Sequence, residues 1–219
     1  MKVLIGTTNP SKVKRFEELL DGCDIEFCTL SDLGICTEPE ETGKTPEENA
    51  VIKAKYYGSF CDFVICNDSG LYFEDLPMDD YRQPGLNIRE PQGSRRLNDE
   101  EMIEYYSGLI HSLGGRVTAY YLDGIAVNNR GIISSFMENS ESRKENAFYM
   151  VDTPSEKRHA GWPLDSLSLN KKDLTYFSCE GDKKYDMSEE DLVEREYRKR
   201  LIRFLKEALL QSGLPGREW

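Results

Sequence analysis

The chain has 219 residues, with 40 acidic against 28 basic side chains, a formal net charge of −12 and 38% hydrophobic residues. That charge argues against a nucleic-acid-binding surface and against anionic membranes, since both reward net positive charge. The length suits one good-sized domain or two small lobes burying about 70% of the unfolded surface; with no apolar run of about 18 residues and no signal-peptide core in MKVLIG, a soluble cytoplasmic protein is expected.

KVLIGT reads as a short apolar strand. It leads into Thr7-Thr8-Asn9-Pro10-Ser11-Lys12 and a helix with Val13, Phe16, Leu19 and Leu20 on one face, stopping near Gly22. Asn9 suits the N-cap and Pro10 the first helical position. DIEFCTL alternates as a second strand, and the acidic loop TEPEETGK follows. Thr45-Pro46-Glu47-Glu48 combines an N-cap, a proline at the first position and a capping-box glutamate at the third, opening a helix that runs to Tyr57, ahead of Gly58.

Phe63 to Cys66 reads as a buried strand that delivers Asn67, Asp68 and Ser69 at its end and turns on Gly70. After an irregular stretch from Pro77 to Leu97, Asn98-Asp99-Glu100-Glu101 opens a third helix with Met102, Ile103, Tyr106, Leu109, Ile110 and Leu113 inward. Arg116–Val127 and Gly131–Phe136 look like antiparallel strands joined at Asn128-Asn129-Arg130. Met137 to Ser188 has no readable pattern. A last helix runs from Ser188 to Gly213, its stripe formed by Leu192, Val193, Tyr197, Leu201, Phe204, Leu205 and Ala208. Alternating strands and helices followed by a hairpin give an α/β class with a mixed sheet. The expected architecture is a largely elongated sheet flanked by helices, with two lobes about a central cleft.

Three places concentrate chemistry. A strand leading into Thr7, Thr8, Asn9 and Lys12 at a helix start offers backbone N–H groups, hydroxyls and an ammonium to a phosphate, although an ordinary capped helix would look the same. Glu41, in the loop before the second helix, and Asp68, at a strand end, supply oxygen ligands of the kind that hold Mg²⁺; a solvated acid and an Asx-turn are the plain alternatives. Asn49 and Lys53, four apart on one helix face, reach toward phosphates or toward Asp68. The cysteines Cys23, Cys28, Cys36, Cys61, Cys66 and Cys179 lack C-x-x-C spacing and read as reduced thiols. His111 and His159 are too few for a histidine metal site, and His111 reads as a surface or packing residue.

Together these segments resemble the inosine triphosphate pyrophosphatase family, enzymes that clear deaminated purine nucleoside triphosphates. A T-x-N-x-x-K motif matches Thr7 to Lys12. E-T-G-x-T-x-x-E-N-A-x-x-K-A matches Glu41 to Ala54, D-S-G-L matches Asp68 to Leu71, and a following P-G matches Pro84-Gly85, with Arg89 where the family often has a base. The likeness thins afterward. Ala160-Gly161-Trp162-Pro163-Leu164-Asp165 stands where F-G-[YW]-D-P is usual, and Glu196-Tyr197-Arg198 is the counterpart of an absent S-H-R. Arg15 replaces a usual glutamate, and Asn67 an acid that is common before the aspartate.

The resemblance implies Mg²⁺-dependent hydrolysis of ITP, dITP or XTP to the monophosphate and pyrophosphate by a cytoplasmic homodimer that cleanses the nucleotide pool. It implies one two-lobed domain over residues 1–219. Asp68, Lys53 and Glu41 would be catalytic, with Glu41 and Asp68 also the metal ligands. Thr7, Thr8, Asn9, Lys12, Asn49, Ser69, Arg89, Trp162 and Arg198 would bind the nucleoside triphosphate. A free aspartate titrates near pH 4 and is a weak base at neutrality, which favours a water activated by the cation and guided by Asp68. Trp162 would stack on the base and Arg198 contact it, unless they are a core tryptophan and a solvated helix residue. A nucleotide-binding module without turnover, or a pyrophosphatase for a pyrimidine or modified nucleotide, are the competing functions.

Overall fold

In a computed structural model, which describes residues 1–137, 139, 144, 147–159, 161–180 and 192–210, the chain forms a mixed α/β fold around a seven-stranded sheet. The strand order is β2-β1-β3-β4-β6-β7, with β5 paired to β4. The chain divides into two compact units. The first comprises Met1–Ser69, Asp123–Glu138 and Arg195–Trp219, the second Gly70–Leu122 and Asn139–Glu194.

In the first unit, β1 (Lys2–Ile5) runs parallel to both β2 (Glu26–Thr29) and β3 (Phe63–Phe73). The far end of β4 (Arg116–Asn129) pairs antiparallel with β5 (Ile132–Met137), from Gly124 opposite Met137 to Asn129 opposite Ile132. Successive strand residues face opposite sides, so apolar runs cover both faces. Val3, Ile5, Ile65, Ile125 and Val127 pack against Phe16 and Leu19 of α1 (Pro10–Leu19) and against Tyr197, Leu201, Leu205 and Ala208 of α5 (Leu192–Leu210). Leu4, Val64, Cys66 and Ala126 pack against Ala50, Ala54 and Tyr57 of α2 (Pro46–Tyr57).

Helix starts follow local chemistry. Asn9 Oδ1 accepts from Ser11 N at 2.9 Å, and Pro10 opens α1. Thr45 Oγ1 accepts from Glu48 N at 3.1 Å, but the Glu48 carboxylate takes Lys44 N at 2.6 Å instead of the Thr45 amide, so the expected capping box is displaced by one residue. A complete box joins Asn98 and Glu101 at the start of α3 (Asp99–Ser112). α5 is tied down at its far end, where Asn129 Nδ2 donates to Ala208 O at 2.9 Å and Leu209 O at 3.2 Å. A helix leaves its last carbonyls unpaired, and this buried amide takes up two of them.

In the second unit, the near end of β4 pairs antiparallel with β6 (Phe148–Val151), which pairs with β7 (Ser168–Leu169). Leu71, Phe73, Val117, Ala119, Phe148 and Met150 form a core with Met102, Ile103, Tyr106 and Ile110 of α3 and with Leu164 and Leu167. Short 3₁₀ turns occupy Pro91–Gly93 and Pro163–Ser166, and α4 covers Phe177–Glu180. His111 is exposed, as expected for a surface residue, and pairs with Asp152 at 2.8 Å. All six cysteines are free.

Two expectations need correction. β3 does not end at Asp68 or turn at Gly70; it continues to Phe73, so Asp68 and Ser69 lie within a strand, not in an Asx-turn. At Gly70 a Cβ would lie 2.7 Å from the Tyr72 ring, which would have to shift to admit it. Likewise Asn128 and Asn129 belong to buried β4, and the reversal falls on Arg130 (φ 51°) and Gly131 (φ 88°), the positive-φ pair of a tight hairpin. Ser188 and Gly213, the expected limits of the last helix, lie outside the described residues.

Candidate functional site

The site is built within the first unit. Gly6 N donates to Ile65 O at 2.8 Å, holding the exit of β1 against β3. Thr7 Oγ1 accepts from Asn9 N at 3.2 Å, so its own proton remains to be donated. Thr8 is exposed beside it. One turn on, Lys12 Nζ lies 3.3 Å from Ser69 Oγ. Burial pulls the Lys12 ammonium below its ordinary pKa, and Asp123 is the largest opposing influence.

Asp68 is held through both of its oxygens. Its Oδ2 accepts from Asn49 Nδ2 at 3.0 Å and its Oδ1 from Lys53 Nζ at 3.2 Å. Lys53 Nζ also lies 2.8 Å from Glu41 Oε1, so one ammonium joins both acids. Burial works to lower Lys53, but Asp68 and Glu41 together outweigh it and raise its pKa. Asn49, read from sequence as a substrate contact, is 3% exposed and spans Asp68 and Gly43, whose N–H donates to Asn49 Oδ1 at 2.8 Å. It orients Asp68 and holds the loop that carries Glu41. Gly43 must be glycine because a Cβ would lie 2.5 Å from that same oxygen.

Two backbone features keep α2 in register with Asp68. Gly124 has no room for a side chain, since a Cβ would lie 2.1 Å from Glu47 N and Pro46 C. Asn67 is buried and donates to Asp68 O at 3.0 Å and Gly124 O at 3.1 Å, while its Oδ1 has no partner among the described residues. Cys66, next in line, is a packing thiol whose pKa burial pushes up to about 12.

Sequence reasoning overlooked Asp123. Its Oδ2 pairs with Arg15 Nη1 at 2.7 Å, and its Oδ1 accepts the Ser69 hydroxyl at 2.8 Å. The signal was present: Leu122-Asp123-Gly124 interrupts an apolar strand with an acid and a glycine, as Asp68-Ser69-Gly70 does in β3. Ser69, expected to donate to a phosphate, gives its proton to Asp123.

The remaining predicted residues lie on other elements of the chain. Arg89, in the second unit, pairs with Asp99 at 2.9 Å beside the start of α3. Trp162, also in that unit, is half-buried and precedes the Pro163–Ser166 turn; Ala160 lies outside the described residues. Asp165 is engaged by His159 at 2.8 Å. Arg198 is half-buried on α5 of the first unit.

Lys12, Arg15 and Lys53 thus face Glu41, Asp68 and Asp123, a locally balanced cluster in a chain of net charge −12. Two carboxylate oxygens that converge on one ammonium also suit a hard divalent cation, which commonly takes one or two carboxylates and fills its shell with water and phosphate oxygens. Among the described residues no group of three or more acids, histidines or cysteines is placed to hold a metal. Glu41 and Asp68 therefore fit a shared site that a ligand's oxygens complete.

A helix start, two lysines and oriented carboxylates on an α/β sheet are groups suited to a phosphate ligand. The Ham1 family model matches residues 3–132, and the chain belongs to the Ham1 family. It is 41% identical over 189 residues to the dITP/XTP pyrophosphatase of Bacillus subtilis, covering 85% of this chain and 90% of that one. It is 34% identical over 134 residues to the dITP/XTP pyrophosphatase of Thermoanaerobacter pseudethanolicus, covering 59% of this chain and 64% of the relative. Among solved structures, the Ham1 protein of Staphylococcus aureus superposes with a TM-score of 0.66 at 22% identity, over 94% of this chain and 98% of that one. That of Coxiella burnetii gives 0.67 at 20% identity, over 95% and 100%. These bear out the family resemblance carried by the motifs and the mixed α/β fold.

Proposed function

We propose that this chain is a nucleoside-triphosphate pyrophosphatase that hydrolyses ITP, dITP or XTP to the monophosphate and pyrophosphate, acting with Mg²⁺ as a single two-lobed domain in a cytoplasmic homodimer. The observation that carries the reading is the convergence of Asn49 and Lys53 on Asp68, with Glu41 on the same Lys53 ammonium and Lys12 and Ser69 adjoining. Simple binding of a polyphosphate is served by cations and N–H groups and does not call for a carboxylate held by two donors.

The residues have separable tasks. Lys12 and the N–H groups and hydroxyls at the start of α1 bind phosphate oxygens and offset the field of an acidic protein. Asn49 and Lys53 fix both Asp68 oxygens while leaving acceptor lone pairs for a water. Asp68 orients that water toward the α-phosphorus and takes its proton. The water oxygen bonds to phosphorus, and the α–β anhydride bond breaks with its electron pair leaving on pyrophosphate. A divalent cation held by Glu41 and Asp68 would neutralise phosphate charge and make the water more acidic. Most of the rate would come from positioning and charge neutralisation.

The test is pyrophosphate release measured across a purine, deaminated-purine and pyrimidine nucleotide panel with Mg²⁺, for the wild type and Asp68→Asn. Selective release from ITP, dITP and XTP, lost in Asp68→Asn at unchanged Tm, is expected. Binding without release from any nucleotide would make the chain a nucleotide-binding module. Release from pyrimidine nucleotides alone would move the substrate class, whereas the altered stretches around Trp162 and Arg198 speak for the module without turnover.

A further inference from the structure

Asp123 meets one guanidinium and one hydroxyl, each on a different carboxylate oxygen. Its Oδ2 takes Arg15 Nη1 at 2.7 Å, and its Oδ1 takes the Ser69 hydroxyl at 2.8 Å. A serine has one proton, so with that proton on Asp123 the Ser69 oxygen can meet Lys12 Nζ, 3.3 Å away, only as an acceptor. An ammonium has three donors, and Lys12 keeps the others for an anion. At the outer end, Arg15 Nη2 donates to the Tyr197 hydroxyl at 3.4 Å, and the Tyr197 ring is 2% exposed in the core. An anchored guanidinium thus fixes a carboxylate, which sets a hydroxyl, which sets an ammonium. Asp123 is also the foremost charge opposing the loss of the Lys12 proton to burial.

We propose that Asp123 is a positioning residue for polyphosphate binding: clamped by Arg15, it acts through Ser69 to aim the Lys12 ammonium. This deepens the function proposed above and rests on Lys12 as a phosphate ligand. A plain structural ion pair between Arg15 and Asp123 would stabilise the fold without any link to the ligand. The orientation of Ser69 supplies that link.

The experiment uses the full chain with Asp123→Ala, Ser69→Ala, their double variant and Asp123→Asn. It measures the Kd for inorganic tripolyphosphate by calorimetry, the KM and kcat for pyrophosphate release, and Tm. Each alanine variant should weaken tripolyphosphate binding about tenfold, raising KM more than it lowers kcat. The double variant should bind no worse than the weaker single one, because both residues lie on one relay. Single losses that add in the double variant would overturn the inference, as would Asp123→Ala losing Tm with its Kd unchanged. If Asp123→Ala does not fold, the nearly isosteric Asp123→Asn decides: it should still weaken binding several-fold, and an unchanged Kd refutes the relay. Tripolyphosphate binding is independent of turnover. The expected binding pattern in a protein that hydrolyses no nucleotide would sink the hydrolase reading and keep this one, whereas a wild type that does not bind tripolyphosphate would sink this one.

Discussion

Replacing Gly124 by alanine tests whether the seat of α2 on β4 sets the geometry around Asp68. The new Cβ would lie 2.1 Å from Glu47 N and Pro46 C and 2.4 Å from Pro46 O. All three are backbone atoms, so no side-chain rotation relieves the overlap. Restoring an ordinary separation of about 3.5 Å means withdrawing the start of α2 by roughly 1.4 Å. Overpacking of this kind costs about 1–3 kcal/mol, which lowers Tm by several degrees in a chain of this size. The larger effect falls on function. Asn49 and Lys53 move with α2, and their bonds of 3.0 and 3.2 Å to Asp68 would not survive such a shift. A misplacement of about 1 Å can cost about a hundredfold in rate, so kcat/KM for pyrophosphate release should fall by that order while the folded state persists. Thermal denaturation alongside steady-state kinetics reads both quantities. Wild-type Tm together with wild-type kcat/KM would refute the claim that Gly124 seats α2.

Gly108 is the converse case: it lies inside α3 with open space where a Cβ would go, so Gly108→Ala should stabilise the protein by up to about 1 kcal/mol, read as a raised Tm with unchanged activity. Asn49→Ala strips a partner from both Gly43 N and Asp68 and should cost about 1–3 kcal/mol by denaturant titration, with kcat falling more than KM rises. Lys12 and Lys53 should part with pH, because burial holds Lys12 below 10.5 while Asp68 and Glu41 hold Lys53 above it. Only the charged ammonium attracts an anion, so calorimetric tripolyphosphate affinity should decline as pH rises while still below 10.5. Lys12→Arg, which stays protonated, should remove that decline.

Local chemistry was the part most readily read from sequence. Asn9-Pro10, Thr45-Pro46 and Asn98 mark helix starts because cap and first-turn bonds are made between neighbours, and all three open helices in the structure. The grouping of Glu41, Lys53 and Asp68 was legible because a single ammonium can serve both acids wherever their motifs meet. Asp123 escaped notice because its partners lie 54 and 108 positions away: the acid and glycine that interrupt β4 mark the position without saying what it meets. The continuation of β3 through Gly70 was missed because glycine usually marks a turn, whereas here it lies within the strand under the Tyr72 ring. Among the described residues between Met137 and Ser188 the strands span only four and two residues, too short for a period to emerge.

The tether from Asn129 to the end of α5 bears on how the protein is made. Tyr197, Leu201, Leu205 and Ala208 close the same core that Val3, Ile5, Ile65 and Val127 open. During translation, strands completed early wait with that face bare until the late helix leaves the ribosome, at roughly 5–20 residues per second. A nascent chain stalled before α5 would expose a greasy sheet surface, a natural client for holding chaperones and a seed for clumping.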